Sequence, residues 1–156
     1  MSNIMKHICI LISFFFYIIN GFAQSSNLQI KSNSFDAKGR KIGFWSENDK
    51  GFKIERYYLN GIKNGLEKVY YRNCMLATFL QFKNGKTIGL GYFFHEKGYL
   101  IQTIEYLGLI IYKDKKLQKG HFRIYNINGS IKYSGIGLFK EGDEELGEEI
   151  RIGKWK

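Results

Sequence analysis

From Phe35 onward, apolar and polar positions alternate in short runs, and the runs are separated by turn signals. Glu67-Lys68-Val69-Tyr70-Tyr71-Arg72 puts Val69 and Tyr71 on one side and Lys68, Tyr70 and Arg72 on the other. His121-Phe122-Arg123-Ile124 and Ile131-Lys132-Tyr133-Ser134 keep the same two-residue period. That is the period of a strand, whose successive side chains point to opposite faces. Turn chemistry falls at residues 39, 51, 61, 74, 85, 98, 115, 129 and 142, mostly 10 to 14 residues apart, with one longer step from 98 to 115. The spacing predicts short antiparallel strands joined by hairpins, in a sheet wetted on one face. No segment beyond residue 23 carries a convincing helical period.

Two stretches show how the turns are made. Tyr58 to Gly65 reads YLNGIKNG and Phe82 to Gly89 reads FKNGKTIG: aromatic, any residue, Asn, Gly, three residues, Gly. Looser copies follow Phe35 (Gly39 and Gly43), Tyr112 (Lys115 in the glycine slot, then Gly120) and Phe139 (Gly142 and Gly147). Lys50-Gly51, Asn73-Cys74, Lys97-Gly98 and Asn128-Gly129 supply a second set of turns midway between the copies. A two-residue hairpin turn that follows strand twist needs positive φ at both central residues, which glycine takes freely and asparagine tolerates. Gly39, Gly43, Gly61, Gly65, Gly85, Gly89, Gly98, Gly129 and Gly142 are therefore expected as structural turn glycines. In this reading Gly65 lets the next strand start close to its neighbour, and Lys63→Ala matters little.

Aromatic residues are 17% of the chain. In a thin sheet with no second layer, ladders of large rings bury area between neighbouring strands. The expected fold is all-β: an elongated single-layer antiparallel β-meander of roughly four and a half hairpin units, stabilised by stacking repeats.

The first 23 residues stand apart. Lys6 precedes a twelve-residue apolar run, Ile8 to Ile19, and Gly21-Phe22-Ala23 closes it with small residues. This is the pattern of a signal peptide cut after Ala23, and it implies export. A membrane anchor is the competing reading, but twelve residues make about 18 Å of helix against a hydrocarbon core of about 30 Å. The expected organisation is a signal peptide over 1–23, a flexible polar leader over 24–34 and a repeat domain over 35–156. Of the two cysteines, Cys9 lies in the apolar run, which leaves Cys74 without an internal disulfide partner after cleavage.

The net charge is +10. Residues 24–140 hold 20 Lys and Arg against 8 Asp and Glu, whereas EGDEELGEE, 141–149, holds six acids. A basic body favours anionic partners such as acidic lipid or anionic polysaccharide, although composition drifting toward Lys, Asn, Ile, Phe and Tyr produces the same balance. Nucleic acid is not expected, because no nucleic-acid-binding motif accompanies the charge.

Enzyme chemistry has no local signature. His95-Glu96 falls at a turn and His121 begins a predicted strand, neither with metal-ligand spacing to a second His or Cys. The acids around Glu144-Glu145 and Glu148-Glu149 lack the alternation of a calcium loop, and the glycines do not form a phosphate loop. Ser130 and Ser134 have no base nearby in sequence. Catalytic, cofactor and metal residues are all expected to be absent; a catalytic site would have to be assembled in three dimensions. Trp45, Tyr57, Tyr70 and Phe93 are instead candidate binding-surface aromatics, since rings are enriched at interfaces.

Glycine–aromatic units of this length resemble the MORN repeat, in particular its bacterial variant. The resemblance runs from Phe35 to Lys156 and is carried by GRKIGFW (Gly39 to Trp45), YLNGIKNG and FKNGKTIG, with Gly153-Lys154-Trp155 echoing Gly43-Phe44-Trp45. Residues 99 to 119 depart from it, lacking the Asn-Gly turn, as do Cys74 and Lys115 in place of glycines. The resemblance implies a non-enzymatic binding surface for another protein, or for acidic phospholipid. Some bacterial relatives are classed as antitoxins, which would imply an antitoxin or immunity-like role that neutralises a partner toxin.

Overall fold

The computed structural model describes residues 32–140, 150–153 and 155–156. These form one open antiparallel sheet of ten strands in chain order, each paired with the next. The strands are β1 Ser34–Phe35, β2 Lys41–Asp49, β3 Phe52–Leu59, β4 Ile62–Tyr70 and β5 Leu76–Lys83. They continue with β6 Lys86–Phe94, β7 Leu100–Tyr112, β8 Lys115–Tyr125, β9 Ile131–Lys140 and β10 Ile150–Ile152. The single-layer all-β meander expected from the two-residue period is the fold observed.

Its turns are of two kinds. Two-residue connections take positive φ at both positions: Lys50 and Gly51, Asn60 and Gly61, Asn84 and Gly85, Lys113 and Asp114. Three-residue loops place one left-handed residue at Gly39, Cys74, Gly98 or Gly129 and are closed by bonds such as Tyr71 N–H to the Met75 carbonyl, 2.9 Å. Because the strands meander, the turns at 36–40, 60–61, 84–85 and 113–114 share one end of the sheet, here the first end. Those at 50–51, 71–75, 95–99 and 126–130 share the second.

Several sequence expectations are corrected. Gly43, Gly65 and Gly89 are not turn residues; they lie inside β2, β4 and β6 at positive φ. In β4 and β6 they mark β-bulges. Arg56 opposes Glu67 and Tyr58 opposes Lys63, so residues 64–66 stand against Tyr57 alone. In the next unit Phe79 opposes Tyr92 and Gln81 opposes Ile88. A bulge needs a residue that tolerates the kink, and at Gly65 a Cβ would also come within 3.0 Å of the Tyr57 Cβ. The turn expected at Lys115 falls at Lys113–Asp114, and Lys115 opens β8. The sheet also reaches into the polar leader. Asn33 N–H bonds the Phe44 carbonyl, and its side-chain amide pairs with both backbone groups of Ser46, so Asn33 and Ser34 extend the first edge. Gly142, the acidic segment 141–149 and the cleavage site after Ala23 lie outside the described residues.

Register assigns the side chains to two faces. One row crosses the whole sheet: Trp45, Arg56, Glu67, Leu80, Gly91, Ile104, Phe122 and Gly135. Trp155 closes it, since Lys156 pairs with Ser134 and the Trp155 ring lies over Gly135. Trp45, Leu80, Ile104 and Phe122 are buried, as is Ile54 on the same face. Glycines in this row give space to their neighbours: a Cβ on Gly91 would stand 2.8 Å from Leu80, and one on Gly135 only 2.5 Å from the Trp155 ring. The two tryptophans of the GxW echoes thus cap the two ends of one core row.

Candidate functional site

The core row is not purely apolar. Glu67 follows a bulge and is drawn inward to 1% exposure. Its Oε2 accepts from Arg56 Nε and lies 3.0 Å from Lys63 Nζ, while Arg56 Nη1 donates to Glu47 Oε1 at 2.9 Å. Lys41 rests 4.2 Å over the Trp45 ring and Lys63 4.6 Å over Phe82. Lys63, expected to be dispensable, is therefore an ion-pair and cation–π partner. Its cross-strand partner Tyr58 and its ion pair with Glu67 place this side chain on the core face. Glu67 Oε1 is buried without a hydrogen-bond partner, so the cluster is incompletely satisfied.

The opposite face carries apolar groups in the open. Phe44 opposes Tyr57, with rings 5.4 Å apart, and on the same face Leu66 opposes Gln81 and Leu90 opposes Glu105. Tyr57, Leu66 and Leu90 are each more than a third exposed. Leu66 and Leu90 lie within the stretches where the bulges open the ladder. Beside them Phe79 and Tyr92 pack edge-on at 6.1 Å.

Of the four candidate aromatics, Tyr57 is on this exposed row, Trp45 is 8% exposed in the core row, and Tyr70 and Phe93 are half-buried on opposite faces. The structure does not bring the four together. Trp45 was misplaced because a period of two gives alternation without saying which face is covered.

Ser134 does meet a base: its Oγ shares a hydrogen bond of 2.8 Å with His121 Nε2. Glu105 stands 4.0 Å from His121 Nδ1 and 3.7 Å from Arg123. Sequence distance hid this pair, which adjacent strands bring together. At 4.0 Å the carboxylate makes an ion-pair contact and does not orient the imidazole as a triad carboxylate must. The cluster is a cross-strand polar network. Among the described residues no group of three His, Cys, Asp or Glu is placed to hold a metal ion.

At the second end two grooves adjoin, of about 560 and 430 Å³. Gly51, Tyr71 and Arg72 line both. Tyr71 Oη donates to the Phe94 carbonyl at 2.8 Å and Asn73 Nδ2 to the Glu96 carbonyl at 2.9 Å, which fixes the walls. Lys53 Nζ sits 2.7 Å from Glu55, and this bond holds its ammonium pKa above the usual lysine value. Tyr70 Oη donates to Glu55 at 3.3 Å. Burial, and then the charge of Glu55, pushes the Tyr70 phenol up; burial, and then Glu96, does the same for Tyr71.

The first end is basic. Exposed Lys38 and Arg40, Lys83 and Lys86, and Lys113, Lys115 and Lys116 flank three of the four turns there, 36–40, 84–85 and 113–114, with Asp36 and Asp114 the acids among the described turn residues. Turns on one end are two strands apart, about 10 Å, so the cations form three groups along this end with a gap at the 60–61 turn.

The fold is an open antiparallel sheet with exposed apolar residues on one face and basic residues at one end. No protein-family model matches the chain, and no curated protein matches it in sequence.

Proposed function

We propose that this chain is a non-enzymatic, MORN-like repeat protein whose sheet binds another protein. The observation that carries the reading is the row of solvent-facing Tyr57, Leu66 and Leu90 beside Phe79 and Tyr92. Rings and leucines lined up across a rigid ladder present apolar area at little entropic cost, the composition of an interface centre. The test is affinity capture with wild type and with Leu66→Asp and Leu90→Asp variants of unchanged melting temperature. A stoichiometric protein recovered by wild type and lost by both variants supports the reading. Equal recovery by all three, or none by wild type, refutes it.

A second reading is favoured by the basic first end: electrostatic attachment to an anionic membrane or glycan surface. Each lysine near an anionic bilayer contributes about 1 kcal/mol, weakened by salt. Co-sedimentation with anionic vesicles should fall steeply from low to high salt. Equal sedimentation with neutral vesicles would remove this reading.

A further inference from the structure

The first edge of the sheet is closed by very little chain. β2 has nine residues, and β1 beside it has two, with Ser34 against Ile42 and Phe35 against Lys41. Alternate residues of β2 turn their peptide groups away from β3, and Phe44 and Ser46 lie past the end of this short pairing. Asn33 covers both. Its N–H donates to the Phe44 carbonyl at 2.9 Å. Its side-chain amide then stands in for a strand residue: Nδ2 donates to the Ser46 carbonyl at 2.9 Å, and Oδ1 accepts from the Ser46 N–H at 2.8 Å. Asn33 has φ of 56°, a left-handed backbone that asparagine tolerates better than most residues, and so lays its side chain against Ser46. The Phe35 ring packs edge-on against Trp45 at 5.0 Å and anchors the segment.

We propose that residues 33–35 are an edge guard, which holds β2 closed against the β2 strand of a second copy of this chain. An uncovered strand edge is a template for another strand, and main-chain hydrogen bonds supply the affinity. Two copies of β2 related by a two-fold axis at Trp45 set Phe44 opposite Ser46 and Ile42 opposite Asn48, so outward peptide groups meet outward peptide groups. The same register sets Lys41 of each copy opposite Asp49 of the other, and an opposite-charge pair closes each end of the seam. The pairing uses the peptide groups of β2 and none of Tyr57, Leu66 or Leu90, so it is independent of a partner on that row.

The experiment is sedimentation velocity of the full chain over a wide range of concentration, with amide exchange read at Ser46. Asn33→Pro removes all three bonds at once, because proline has no N–H, no amide side chain and φ fixed at about −65°. Wild type should stay monomeric. Asn33→Pro should form a reversible dimer, and its Ser46 amide should exchange at least tenfold faster while Gly61 and Gly85 are unchanged. Asn33→Gly, which keeps the N–H and the φ and loses only the amide, should fall between the two. Adding Ser46→Pro to Asn33→Pro should return the chain to monomer, since the seam loses a donor and no bond to β3 is broken. Adding Asp49→Lys instead should weaken the dimer at least tenfold, and Lys41→Glu on top of it should restore the dimer. A wild type that dimerises as readily as Asn33→Pro, an Asn33→Pro chain that stays monomeric, unchanged exchange at Ser46, or a dimer indifferent to Ser46→Pro or to Asp49→Lys would each overturn the proposal.

Discussion

The amide of Gly61 donates to the carbonyl of Lys41 at 2.8 Å, joining a turn to a strand two places earlier in the sheet. Gly85 repeats the bond to Lys63, also at 2.8 Å, one unit further on. Side chains follow the same direction. Arg40 Nη2 reaches Asn60 Oδ1 at 3.3 Å, and at the other end Asn73 reaches the Glu96 carbonyl. The 36–40 and 60–61 turns at one end, and the 71–75 and 95–99 turns at the other, therefore lean on each other. The second glycine of the template makes a bulge, and the first serves as both a corner and a contact.

Gly61→Val tests the double role. Gly61 has φ of 83°, and its added Cβ would stand 3.3 Å from the Arg40 Cβ. A β-branched residue there pays for the left-handed backbone and displaces Arg40, so stability should fall by about 2 kcal/mol. Denaturant unfolding reads this directly. An unchanged midpoint would mean that the 60–61 corner is not the strained joint described.

Glu67 is the buried anion on which Arg56 and Lys63 converge. Removing one partner of a buried ion pair leaves the other charge uncompensated, which costs about 3 to 5 kcal/mol. Glu67→Leu should show that loss, and combining it with Arg56→Met should recover part of it, because the guanidinium left with Glu47 as its one carboxylate partner among the described residues is gone. Lys63→Ala should cost about 1 kcal/mol, while exposed Lys86→Ala should stay within about 0.5 kcal/mol. A double variant less stable than either single one would contradict the pairing.

The hairpins were legible because Asn-Gly and Lys-Gly corners state their φ requirement in residue type, and alternation states the strand. Three things were not. Lys113–Asp114 adopts the same turn without glycine, so residue type pointed one position too far, to Lys115 in the glycine slot. Bulges at Gly65 and Gly89 follow from how two strands fail to match in length, a property of the pair and not of either strand. Glu67 looks like a polar residue on a wetted strand, and its burial depends on Arg56, eleven positions away, and on the turn-proximal Lys63. For the same reason His121 and Ser134 meet only across β8 and β9. The groove around Arg72 is built from three separate turns, and a linear pattern cannot assemble it.

Tyr70 and Tyr71 make stability pH-dependent in a defined direction. Both phenols are raised from the usual value of 10.0. The unfolded chain then loses those protons first, so their contribution is full below about pH 10 and is lost as pH rises through the folded values. Lys53, raised by its bond to Glu55, acts with the same sign. Denaturation midpoints should decline from about pH 9 to 11, and Tyr70→Phe should flatten part of the decline. A Tyr70→Phe profile parallel to wild type would show that burial of this phenol does not contribute.

Gly135→Ala tests how the last repeat is held. Gly135 has no side chain because the Trp155 indole occupies that place, donating from Nε1 to the Ile136 carbonyl at 3.2 Å and packing 5.9 Å from Phe122. Ser134 and Lys156 exchange backbone hydrogen bonds beside it, at 2.9 and 3.1 Å. A methyl group 2.5 to 2.6 Å from three ring atoms cannot be absorbed by rotating a flexible tip, so either the indole leaves or the strand bends. The expected loss is about 1 to 3 kcal/mol, with a red shift of Trp155 fluorescence measured in a Trp45→Phe background. Amide exchange should speed up at Ser134 and Lys156 first, while Gly61 and Gly85 keep their protection, because stability in a repeat sheet passes only between neighbours. Uniformly faster exchange across all ten strands would mean that the sheet unfolds as one unit and that Trp155 is not a local cap.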